Sequence, residues 1–81
     1  MSESEILARI HNLVETEHAL RNMVESESIS PAEEQQRLAE IERTLDQCWD
    51  LLRQRRARRS AGQLPEAAEV RPVDQVEGYL Q

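Results

Sequence analysis

Apolar residues recur in the first third of the chain at Ile6, Ile10, Leu13, Leu20 and Val24, and Glu17 fills the one polar place in the series. Steps that alternate between four and three return to the same face of an α-helix, so the pattern predicts a helix over about residues 3–25. Ser2 precedes it with Glu5 three residues on. That spacing is a capping box, in which the serine oxygen accepts from the backbone N–H of the glutamate position.

A second seam, Leu38, Ile41, Leu45, Cys48 and Leu52, follows the polar connection 26-SESIS-30. Ser30, Pro31 and Glu33 supply its start signal: a capping serine, a proline whose φ already suits the first helical position, and a glutamate placed to return the capping bond. This helix is predicted over about 31–60, ending before Gly62 and Pro65. Two seams joined by a short turn form an antiparallel hairpin. Centring the turn between them pairs Leu20 with Leu38, Leu13 with Leu45, Ile10 with Cys48 and Ile6 with Leu52. The same register sets Arg53 and Arg55 beside Glu5 and Glu3, with Arg58 and Arg59 beyond the start of the first helix.

After Gly62 the prolines Pro65 and Pro72 interrupt any long helix. Val73, Val76 and Leu80 fit one face of a short final helix over 73–80. The expected organisation is a hairpin over 1–61 and a proline-containing tail over 62–81 that docks on the hairpin or on a partner.

Leu7, His11, Val14 and His18 form another stripe beside the first seam, and Trp49 and Leu51 flank the second seam. A lone hairpin has one inner face, so Leu7, Val14, Trp49 and Leu51 are expected to bury themselves by self-association. The fold class is therefore all-α, with the hairpin dimerising into a four-helix bundle.

Charge sharpens this picture. The formal net charge is −6 over 81 residues, yet residues 53–59 hold five arginines and no acid. Residues 1–52 carry twelve acids against four arginines. All ten basic residues are arginine, a bias that suits a GC-rich genome as well as any site-specific role. The arginine block admits three readings: a solvated helix end that suits the helix dipole, a docking site for an acidic protein surface, or a phosphate-binding patch for nucleic acid. Arg55, Arg56, Arg58 and Arg59, with Tyr79 and Leu80 of the tail, are the candidate partner-binding residues. Against nucleic acid stand the acidic remainder of the chain and the lack of aromatic residues interleaved with the block.

A single cysteine, Cys48, excludes an internal disulfide and a multi-cysteine zinc site, which fits a reducing cytoplasm. The start of the chain lacks the features of a signal peptide, and no apolar run approaches the roughly 18 residues of a membrane span. A cytoplasmic protein that does not enter the membrane is expected.

Glu15 and His18 have the Glu-x-x-His spacing found in dimeric di-iron or di-manganese carboxylate bundles, and the hairpin register brings them level with Glu40 and Glu42. Glu42 would have to turn inward beside Ile41 to complete that set, so no metal or other cofactor is expected. Nucleophilic chemistry at Cys48 lacks an orienting group, an oxyanion hole and a cleft, and Gly62 and Gly78 cannot build a phosphate loop. No enzymatic activity is expected.

The strings 5-EILARIHNLVETEHALR-21, 45-LDQCWDLLRQRRARR-59 and 70-VRPVDQVEGYLQ-81 resemble a small actinobacterial family of unknown function. The resemblance implies a short helical bacterial protein complete in itself, and no activity, ligand or catalytic residue. It draws attention to Val73, Val76, Gly78 and Tyr79 in the tail as residues that bind something. The expected function is a non-enzymatic helical interaction or regulatory protein that self-associates and docks a partner. The alternatives are a nucleic-acid or ribosome-associated protein and a di-metal bundle.

Overall fold

The computed structural model describes residues 2–80, and side chains as far as residue 78. Helix α1 spans Glu3–Glu25, α2 spans Pro31–Ser60, a 3-10 turn covers Pro65–Ala67, and α3 spans Val73–Leu80. No strand occurs among the described residues. The hairpin predicted from the two seams is formed, and α1 and α2 pack along their length.

Local chemistry explains the boundaries. The Ser2 hydroxyl accepts from the Glu5 N–H at 3.2 Å, while the Ser2 N–H donates to Glu5 Oε1 at 3.4 Å. Two orphan donors at the start of α1 are thereby satisfied. At α2 the Ser30 hydroxyl accepts from the Glu33 N–H at 3.2 Å, but only this forward half of the expected box forms.

Both long helices stop in the same way. The Glu27 N–H donates to the Val24 carbonyl and the Ser28 N–H to that of Met23. Gly62 and Gln63 repeat these bonds to Arg59 and Arg58. This crossed pair of bonds requires a left-handed residue at its centre. Gly62 meets the need with φ 75°, whereas Glu27 holds φ 61° with a full side chain.

The core lies at the open end of the hairpin. Ile6, Ile10, Cys48, Leu51 and Leu52 form one buried cluster, with Leu13, Leu45 and Ala68 packed against it. Ala68 belongs to the tail, which turns back after Gly62 and runs along α2. Both the 3-10 turn and α3 contact α2, and among the described residues neither touches α1. α2 is therefore the middle member of a single layer measuring 51 × 26 × 14 Å. Its radius of gyration of 15.2 Å exceeds the roughly 12 Å expected of a compact chain of this length. Glu17, the polar interruption of the first seam, is half-buried and paired with Arg21 at 3.0 Å.

Leu51 corrects one expectation. It is only 6 % exposed and sits inside the chain's own core, so it does not contribute to an open self-association surface. The tail supplies the reason. Its return along α2 covers a flank that a bare two-helix hairpin would leave wet.

Candidate functional site

Interior space does not suggest a small-molecule site. One partly enclosed hollow, about 60 Å³, lies among Arg9, Thr44, Gln47, Cys48, Leu51 and Val70. Metabolite sites usually need about 300 Å³ or more. The other depressions are broad grooves open to solvent. Cys48 lines the small hollow at 7 % exposure, and burial pushes its thiol up from the ordinary value while Arg9 opposes weakly. A thiol held neutral is a poor nucleophile.

The metal candidates disperse. Glu15 faces His11, with Oε1 3.1 Å from Nε2, and both are well exposed. His18 and Glu42 are exposed as well. Among the described residues no group of three or more His, Cys, Asp or Glu side chains is arranged to hold an ion.

The arginine block is divided by its helical geometry. Arg55 faces inward and is 6 % exposed; its Nη2 lies 3.9 Å from Glu66 of the tail, and its Nε has no hydrogen-bond partner. Arg56 donates from Nε and Nη2 to Glu3 Oε1 at 3.2 and 3.0 Å, and Arg59 reaches Glu3 Oε2 at 3.3 Å. Hydrogen bonds from Arg56 and then Arg59 hold the Glu3 carboxyl below its usual value. Arg58 makes a long 3.4 Å bond to Gln63, and Arg53 is exposed.

Two expectations change here. Glu3 is held by Arg56 and Arg59 and not by Arg55, because the pairing of α1 with α2 brings the outward-facing arginines to it. Arg55 is too buried to serve as a surface contact. The side chains of Tyr79 and Leu80, the remaining partner-site candidates, lie outside the described residues.

Apolar exposure concentrates elsewhere. Leu7 and Trp49 are each 42 % exposed and Val14 is 37 % exposed. Leu7 and Val14 are seven residues apart and so share a face of α1, and Trp49 lies at their level on α2 in the register that packs Ile10 with Cys48. Glu42 and Arg53, both exposed, stand seven residues before and four after Trp49 on its own stripe.

Sequence reasoning missed the residues that fasten the tail. Asp50 is 2 % exposed, and its Oδ2 accepts from Gln54 Nε2 at 2.9 Å and pairs with Arg71 Nε at 3.3 Å. Gln54 Nε2 also donates to the Glu69 carbonyl at 2.8 Å, and Gln47 Nε2 to that of Arg71 at 3.0 Å. Gln47, Asp50 and Gln54 step three and four along the back of α2. A polar stripe of this kind reads as a solvated helix face, and only the folded tail reveals its partners.

The described helices include none long and apolar enough to cross a membrane. No solved structure matches the chain. Its relatives include the uncharacterized protein Mb0922c of Mycobacterium bovis and the uncharacterized protein Rv0898c of Mycobacterium tuberculosis. Each is 59% identical over 78 residues, covering 96% of this chain and 90% of the relative. Residues 2–81 match the family described as "Protein of unknown function (DUF2630)", and the chain belongs to that family.

Proposed function

We propose that the chain is a non-enzymatic interaction protein whose first partner is a second copy of itself. The observation that carries this reading is the exposure of Leu7, Val14 and Trp49 on one broad face of a layer scarcely thicker than a single helix. A face of 51 × 26 Å is large enough for the roughly 800 Å² per partner of a stable interface.

Charge supports a two-fold arrangement. An axis through the Leu7–Val14 patch lays α1 of one copy antiparallel across the other and doubles the layer into a four-helix core. In that register Arg53 of each copy stands over Glu42 of the other. These are exposed groups of opposite sign on the Trp49 stripe. Burying three half-wet apolar side chains per copy supplies the driving force, and the charges select the register.

Partner docking through the arginine end carries less. Arg55 is buried, and the exposed Arg56 and Arg59 are partly neutralised by Glu3, so the block presents less free positive charge than its density along the chain suggests. The nucleic-acid alternative weakens for the same reason. A lone buried thiol suits a reducing cytoplasm, where this reading places the protein.

Charge exchange tests the register. Glu42→Arg and Arg53→Glu should each weaken the dimer several-fold, as exposed pairs counted twice by symmetry would. The double variant should restore it. Equal association by the wild type and both single variants would contradict the arrangement.

A further inference from the structure

The tail is attached to α2 in two unlike ways. Residues 69–71 are clasped by the bonds from Gln54 and Gln47 and by the Asp50–Arg71 pair. Beyond Pro72, α3 packs on α2 with Val76 0 % exposed. Glu77, one residue past Val76, faces Asp46 of α2. Its Oε1 is sealed from solvent without a hydrogen-bond partner.

Two ionised carboxylates are both acceptors and cannot bond each other; a single proton turns the contact into a hydrogen bond. We propose that α3 is a pH-sensitive strap, closed on α2 when the Glu77 carboxyl carries a proton and donates it to Asp46, and loosened when that proton is lost. Its hinge lies at Arg71 and Pro72, because the clasp just before them does not involve this proton. This device does not require self-association, although Glu42 is common to both surfaces.

The groups facing Glu77 from α2, the only element packed on α3 among the described residues, are Asp46, Arg43 and Glu42. Asp74 is the other acid on α3 itself. The bond with Asp46 raises the Glu77 carboxyl first, then burial and the Asp46 charge. Arg43 lowers it, and Glu42 adds to the rise. The docked state therefore binds more protons than the released state. Closure is favoured most at and below the ordinary value of 4.5 and is lost as pH rises through the raised one. Loosening uncovers Val76 and the back of α2.

The test is methyl NMR on the full chain between pH 4.5 and 8, reading Val76 for the strap and Ile6 for the hairpin core. In the wild type the Val76 signal should move towards its released position as pH rises while Ile6 stays still. Glu77→Gln keeps a donor against Asp46 and should hold Val76 at the closed position throughout; Asp46→Asn should flatten the response likewise. A wild-type Val76 signal that does not move, one that moves together with Ile6, or an unchanged response in Glu77→Gln would overturn the proposal.

Discussion

Asp50 of α2, almost wholly buried, lies 3.3 Å from Arg71 of the tail, and this pair joins the last quarter of the chain to the hairpin. A carboxylate taken out of water needs charge-assisted partners. Gln54 and Arg71 provide them, so the tail is held by a group that would be destabilising without it.

Removing the carboxylate should release that segment. Asp50→Ala deletes bonds to a charged acceptor that are each typically worth about 1.5–3 kcal/mol, and it leaves Gln54 and Arg71 to water. The expected result is a lower melting temperature together with rapid proteolysis between Gly62 and Pro72. A tail as protected as in the wild type would show that Val76 and Ala68 suffice.

Glu27 marks a place where the sequence does not suit its backbone. The turn needs a left-handed residue, which glycine adopts without steric cost. Glu27→Gly should raise stability by about 1 kcal/mol in denaturant titrations, with the slope unchanged. A loss of stability would mean that the Glu27 side chain holds the turn in some other way.

The open end of the hairpin depends on Glu3. Its carboxyl is lowered by Arg56 and Arg59, so its contribution is present above the ordinary value of 4.5 and disappears as pH falls through the depressed one. Amide exchange in the first turn of α1 should therefore show protection lost at acid pH, with the exchange rates corrected for their intrinsic pH dependence. In Glu3→Gln that acid-linked loss should be absent.

Cys48 gives a simple readout of integrity. A buried thiol whose proton is held more tightly than usual should react with a thiol reagent at pH 7 many-fold slower than free cysteine. Denaturant should remove the difference. Fast labelling of the native protein would contradict the packing of Cys48 among Ile6, Ile10 and Leu52.

The hairpin was legible because Ile6, Ile10, Leu45, Cys48 and Leu52 obey one helical period and Ser2, Ser30 and Pro31 mark the helix starts. Their chemistry is local. The path of the tail was not legible. Ala68 and Val76 are too few to reveal a period, and Gln47, Asp50 and Gln54 look like any solvated stripe. For that reason Leu51 was expected at the surface although the tail buries it. The arginines misled in a related way: density along the chain says nothing about direction around the helix, and Arg55 points inward while Arg56 and Arg59 reach Glu3.

The most direct measurement is the solution mass of the purified chain by sedimentation equilibrium at tens of micromolar, repeated with Trp49→Gln. The account predicts a wild type of twice the 9.4 kDa chain mass and a variant shifted towards monomer. A wild type that remains monomeric would contradict self-association through the Leu7, Val14 and Trp49 face.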